Sequence, residues 1–131
     1  MKAQDLSKYQ WNNRILIIMS EDISTVEFKK QITALQNHDK ALEERKLLIL
    51  QITPKKYRLG VSETSSWIEG QSELYQKFKT DHKAFETILI GLDGNIKLRQ
   101  NSLLTSEQLF NTIDAMPMRQ SEIRSNKKSK N

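Results

Sequence analysis

The feature that most constrains the fold is a pair of short apolar segments joined by a helical one. Residues 15–19 (ILIIM) and residues 47–52 (LLILQI) contain almost no polar side chain and are rich in β-branched residues. Runs of this kind are typical of strands that are buried on both faces of a sheet. Between them, apolar residues recur at helical spacing at Phe28, Ile32 and Leu35. A helix between two buried strands predicts a parallel, right-handed β-α-β unit.

The second half of the chain adds a helix, a β-hairpin and a last helix. The hairpin is the clearest element, because the turn pair Asp93 and Gly94 separates an apolar run from an alternating one. Thr105, with Gln108 three residues later, predicts the start of the last helix, and Pro117 predicts its end. The resulting order, β-α-β-α-β-β-α, is that of the thioredoxin fold. We therefore expect an α/β protein with a four-stranded mixed sheet in the strand order 2-1-3-4 and helices on both faces.

Length and charge predict one domain followed by a basic tail. The chain has 131 residues, which suits a single domain, and a net charge of +5. Residues 117–131 carry five lysine or arginine side chains and one carboxylate, so they account for +4 of that charge. We expect a thioredoxin-like domain over residues 5–118 and a partly disordered tail over residues 119–131. The tail has no aromatic residue to stack on a base, so nucleic acid is not an expected partner. Contact of this tail with nucleic acid or a membrane surface is retained as an alternative.

The absence of cysteine excludes several kinds of chemistry. A chain without thiols forms no disulfide, thiolate nucleophile, thiol peroxidase centre or cysteine metal site. No apolar run reaches the roughly 18 residues of a membrane span, and the first residues do not read as a signal peptide. No residue pattern indicates a cofactor. Composition alone leaves the cellular compartment open.

Three segments of the chain resemble a known family. They are LSKYQWNNRILII near the start, ILIGLDGNIKLR in the hairpin and LFNTIDAMPMRQSEIR near the end. These segments are similar to a bacterial family, domain of unknown function 4174, which is related to the peroxiredoxin-like DUDES domain of sushi-repeat-containing proteins and equarin. The resemblance extends over residues 5–124. It implies a thioredoxin-like fold and, for many members, an exported or periplasmic location, and it implies no established activity.

The corner between the first strand and the first helix is where thioredoxins and peroxiredoxins hold their reactive cysteine, because a helix N-terminus stabilises a thiolate. This chain has Ser20, Glu21, Asp22 and Ser24 at that corner. A serine hydroxyl is too weak an acid to ionise there, and it cannot pass through the oxidised states of sulfur. Ser24 is instead predicted to be the N-cap, with Glu27 completing a capping box. No catalytic residue is assigned.

A non-thiol enzyme at the same corner is an alternative. A nucleophilic serine needs a base, and the chain has only His38 and His82. Both histidines are expected at helix ends, and their spacing matches no metal motif. A hydrolase or a metal-assisted activity therefore requires the fold to bring one of them to Ser20.

The leading hypothesis is a non-catalytic module that binds a protein partner. Tyr57, Arg58 and Trp67 lie in an irregular segment where aromatic and cationic side chains suit a protein interface. Packing of this segment onto the sheet is the competing interpretation. Arg119 and Arg124 either anchor the end of the chain to acidic residues of the body or face a partner. Homo-oligomerisation is also left open.

Overall fold

A computed structural model of the protein describes residues 6–62, 66–70, 73–79 and 84–129. A short 3-10 helix, Ser7–Tyr9, precedes the first strand. The strands are β1 (Arg14–Ser20), β2 (Leu47–Ile52), β3 (Lys56–Leu59), β4 (Ile68–Glu69), β5 (Phe85–Ile90) and β6 (Ile96–Gln100). The helices are α1 (Val26–Leu35), α2 (Asp39–Glu44), α3 (Glu73–Phe78), α4 (Ser106–Asp114) and α5 (Pro117–Ser129).

The strands form one mixed sheet in the order β4-β3-β2-β1-β5-β6. β1 is parallel to β2 and antiparallel to β5, as a β-α-β unit followed by a hairpin requires. The four predicted strands are β2, β1, β5 and β6, and they lie in the predicted order. The predicted number of strands is wrong, because the described part of the chain contributes six.

The two additional strands come from residues 54–70, which were predicted to be irregular. The hydroxyl oxygen of Thr53 accepts hydrogen bonds from the backbone N–H groups of Lys55 and Lys56, at 3.2 and 3.0 Å. This turn reverses the chain at Pro54, so that β3 pairs antiparallel with β2. Pro54 does end β2, as a missing N–H requires, but the chain then continues the sheet instead of leaving it.

The core lies on both faces of the sheet, because β1 is buried along its whole length. Leu16 and Ile18 point to the face covered by α1, α2 and α4, and Ile15 and Ile17 point to the face covered by α3. This alternation is the period of two expected for a central strand. Helices therefore cover both faces, as predicted.

A buried polar side chain ties α1 to the segment that leads into α4. The amide of Gln31 is fully buried, and it donates to the Leu104 carbonyl and accepts from the Leu104 N–H, both at 2.8 Å. Both backbone groups of Leu104 are thereby satisfied in the interior. This contact fixes the position of the strand-to-helix connection after β6.

The end of the chain differs from the predicted tail. α4 ends at Asp114, before Pro117, and Pro117 then opens α5, where a missing N–H costs nothing. α5 covers most of the segment that the sequence assigned to a basic tail. Arg119, in its first turn, is 2% exposed. The first turns of α5 therefore pack on the body of the domain.

Candidate functional site

The corner after β1 is closed by the hydroxyl group of Ser20. Ser20 is 1% exposed. Its Oγ donates to the Asp22 carbonyl at 2.8 Å and accepts from the Asp22 N–H at 3.2 Å. The next residue, Glu21, donates its N–H to the carbonyl of Ala84 at 2.9 Å, which places the corner beside the start of β5. The Ser20 hydroxyl is therefore buried and engaged within its own turn.

Asp22 organises the rest of the corner. Its carboxylate accepts from the Ser24 hydroxyl at 2.6 Å and from the Ser24 N–H at 2.8 Å. These two hydrogen bonds, the side-chain bond first, lower the pKa of Asp22. The N-cap of α1 is Thr25, whose hydroxyl oxygen accepts from the Phe28 N–H at 3.3 Å. The prediction that Ser24 is the N-cap is wrong, because the Ser24 hydroxyl is held by Asp22.

Two open cavities flank the corner, and Glu21 and Asp22 line both of them. One has a volume of 480 Å³ and is closed on its far side by residues 53–56 and Glu69. The other has a volume of 370 Å³ and is closed by Phe85 and Asn101. In the parts of the chain that the structure describes, no group of three histidine or carboxylate side chains is placed to hold a metal ion.

His38 does not reach the corner. The His38 ring makes an edge contact with the Phe110 ring, at 5.7 Å between centroids. The Arg45 guanidinium lies over the Phe110 ring, at 4.4 Å from its centroid. The Arg45 carbonyl also accepts a hydrogen bond from the Arg14 side chain. Arg14 is the first residue of β1, and Ser20 is the last. His38 and Ser20 therefore lie at opposite ends of β1. His82, the other predicted candidate base, lies outside the described residues.

Of the residues predicted to form a partner surface in the irregular segment, some are buried in the core and others are partly exposed. Tyr57 is 9% exposed and belongs to the core on the α3 face. Trp67 is half-buried against the opposite core. The Arg58 guanidinium and the Lys56 ammonium lie over its ring, at 4.5 and 4.9 Å from the centroid. Arg58 and Trp67 thus form one stacked unit, as cation–π geometry favours.

Arg119 anchors the end of the chain and does not face outward. Its Nε donates to Asp114 at 2.9 Å, and its Nη2 donates to Glu44 at 3.3 Å. Asp114 also accepts two hydrogen bonds from Arg45, at 3.1 and 2.8 Å. Burial raises the pKa of Asp114, but the hydrogen bonds from Arg45 and Arg119 outweigh it, so the pKa is lowered. Arg124, in contrast, is exposed.

Sequence reasoning missed a pocket where the β5–β6 turn meets the junction of α4 and α5. This junction pocket has a volume of 440 Å³. The buried Arg14 lines it from the start of β1, and Lys97 lines it from β6. Its apolar wall consists of Leu92, Ala115, Met116, Pro117 and Met118. One signal could have found it: each of the three segments that carry the family resemblance contributes to its lining.

Comparison with solved structures defines the class of the fold. The chain is similar to a reduced 2-Cys peroxiredoxin of Plasmodium vivax, with a TM-score of 0.62 and 13% sequence identity. The match covers 88% of this chain and 84% of the peroxiredoxin chain. The protein is therefore an α/β protein of the thioredoxin-like class, and here its strand-to-helix corner carries serine and carboxylates.

The chain belongs to the family described as domain of unknown function 4174, whose model matches residues 5–122. No curated protein sequence is significantly similar to it. Within the described ranges, none of the helices is both long enough and apolar enough to cross a membrane.

Proposed function

We propose that the protein is a thioredoxin-like module that performs no redox chemistry and binds a protein partner. The proposal rests on the burial and the hydrogen bonding of Ser20 at the corner after β1. Ser20 is buried and both of its hydrogen-bonding roles are satisfied within residues 20–22. A nucleophile must reach its substrate and be next to a base, and Ser20 meets neither condition within the described residues.

The binding surface that we propose is the outer hairpin of the sheet. This hairpin surface consists of Lys56, Arg58, Leu59, Trp67 and Ile68. Leu59 and Ile68 are 42% and 49% exposed. By the register of β3 and β4 they share one face of the hairpin with Tyr57, and the tryptophan stacked with two cations lies on the other face. Tryptophan and arginine are enriched where protein interfaces derive most of their binding energy.

The chemistry of this surface indicates the chemistry of its partner. β4 is the outermost strand at this edge of the sheet. Ile68 would pack against apolar side chains of the partner, and Lys56 and Arg58, on the opposite face of the hairpin, favour carboxylates. The partner that fits is a protein segment that carries both apolar and acidic residues.

The test compares two matched substitutions at opposite edges of the sheet. Ile68→Asp places a charge in the hairpin surface, and Ile96→Asp places the same charge on β6, where the isoleucine is 46% exposed. Proteins cross-linked to the wild-type chain in its source cells are identified by mass spectrometry. We expect a partner that is retained by Ile96→Asp and lost by Ile68→Asp.

The same purified chain is assayed with hydrogen peroxide and a reducing system. We expect no turnover above the rate without protein. Turnover by the pure protein would overturn the non-redox part of the proposal. A partner captured equally by both variants would overturn the assignment to the hairpin surface.

A further inference from the structure

We infer that the junction pocket binds a small amphiphilic acid, a molecule with an apolar body and one carboxylate. This site uses none of the residues of the hairpin surface, so the inference goes beyond the proposed function. Its volume of 440 Å³ is within the range of small-molecule sites, and such sites combine apolar walls with a few polar groups. The apolar residues that line it, described above, suit the body of such a molecule.

The first argument for an anionic group is a buried donor. Arg14 is 1% exposed and lines the pocket. Its Nη1 donates to the Arg45 carbonyl at 2.8 Å and to Glu122 at 3.3 Å, and its Nη2 donates to Glu122 at 3.2 Å. Its Nε has no hydrogen-bond partner among the described residues. Buried donors are rarely left without an acceptor, and a ligand that displaces the side chains covering the Nε would supply one.

The second argument is the direction of the backbone at the pocket wall. Pro117 and Met118 line the pocket and form the first turn of α5. The N–H groups of a first helical turn have no acceptor within the helix, and the helix dipole is positive there. α5 has 13 residues, enough for this end to attract a negative group.

The charged residues at the mouth do not oppose an anion. The Lys97 ammonium lines the pocket and binds the Asp93 carboxylate at 2.9 Å. Asp93 also accepts from the Asn95 N–H at 3.0 Å, so its charge is compensated within the turn. The stem of Lys97 crosses Gly91 closely, since a Cβ at Gly91 would stand 2.7 Å from its Cε. The absence of a side chain at residue 91 therefore leaves room for the Lys97 stem.

The experiment uses the full chain labelled with ¹⁵N and three probes. Octanoate has both the chain and the carboxylate, octanol has the chain alone, and acetate has the carboxylate alone. Amide shifts are followed by nuclear magnetic resonance below the concentration at which the probes aggregate. We expect saturable binding of octanoate, with shifts centred on residues 91–97 and 115–119. Octanol and acetate are expected to bind at least about tenfold more weakly, which corresponds to ~1.4 kcal/mol.

Variants at the exposed rim assign the site without disturbing Arg14. Met118 is 42% exposed, and Met118→Glu places a carboxylate against the incoming anion, so octanoate should bind at least about tenfold more weakly. Ser121→Glu adds the same charge in α5 outside the pocket lining and should leave binding unchanged. Thermal unfolding of each variant shows that it is folded.

Three results would overturn the inference. The first is the absence of saturable octanoate binding, which would mean that the pocket admits no acceptor to the Arg14 Nε. The second is octanol binding as tight as octanoate, which would remove the anionic component. The third is an equal loss of binding in Met118→Glu and Ser121→Glu, which would place the probe elsewhere.

Discussion

Glu122 accepts hydrogen bonds from both terminal nitrogens of Arg14, at 3.3 and 3.2 Å, across a separation of 108 residues in the sequence. Arg14 opens the central strand and Glu122 lies in α5, so one ion pair joins the two ends of the domain. The Arg14 side chain is 1% exposed and the Glu122 side chain 20%. A charge buried to this degree depends on its partner.

The first prediction follows from that pair. Glu122→Gln leaves the Arg14 guanidinium with less negative charge around it, and we expect the free energy of unfolding to fall by about 1–3 kcal/mol. The measurement is urea denaturation followed by circular dichroism. Glu43→Gln, at an exposed position of α2, should change the free energy by less than about 0.5 kcal/mol. Equal effects of the two substitutions would show that the pair does not hold α5 in place.

The second prediction concerns acid. The pKa of Asp114 is lowered in the folded state, so its carboxylate contributes stability that is complete above the ordinary aspartate pKa of about 3.9. That contribution is lost as the pH falls through the lower folded pKa. Asp114→Asn should therefore be less stable than the wild type at pH 7, and the difference should shrink as the pH falls below about 4.

The measurement for Asp114 is the free energy of unfolding of both chains between pH 7 and pH 2. Some acid sensitivity should remain in the variant, because the pKa values of Asp22 and Asp93 are also lowered. A difference between the chains that stays constant over the whole range would contradict the assignment to the Asp114 carboxylate.

The third prediction distinguishes two neighbouring hydroxyl groups at the start of α1. Thr25→Ala removes the N-cap oxygen that accepts from Phe28, and we expect a loss of about 1 kcal/mol in the free energy of unfolding. Ser24→Ala removes a hydroxyl that donates to Asp22 on an exposed turn, and we expect a smaller loss. Thermal unfolding of the two variants shows which substitution causes the larger loss of stability. A larger loss of stability for Ser24→Ala would instead identify Ser24 as the N-cap, as the sequence predicted.

The fourth prediction places a thiol at the corner. Ser20→Cys should react slowly with a thiol reagent in the native protein, because Ser20 is 1% exposed. Ser24→Cys is the matched control, since Ser24 is exposed four residues away, and it should react rapidly. The rates are compared in native buffer and again in urea, where they should become similar. Rapid native labelling of Ser20→Cys would show that the corner opens on its own.

Local sequence patterns were sufficient to predict the elements that depend mainly on interactions between residues close in the sequence. β1 and β2 are found where the apolar runs are, and Thr105 caps α4 by accepting from the Gln108 N–H, as predicted. β3 and β4 could not be found, because they are short and their side chains follow no clear alternation. They exist because the turn at Thr53 returns the chain to the edge of β2.

The site residues depended on contacts that no local pattern contains. Arg119 is buried because Glu44, 75 residues earlier, and Asp114 surround it, so the sequence alone could not decide whether it anchors the end of the chain or faces a partner. Tyr57 is buried because β3 joins the sheet. The junction pocket needs three distant segments to meet, and this meeting depends on the order of the strands.

The position of β1 in the sheet also matters while the chain is being synthesised. β1 forms hydrogen bonds with β2 on one side and with β5 on the other, and β5 leaves the ribosome much later than β2. During that interval a nascent chain has a largely apolar strand with one open edge, which is the kind of surface that pairs with other chains. The period of greatest need for a chaperone should therefore begin when β2 emerges and end when Phe85–Ile90 have emerged.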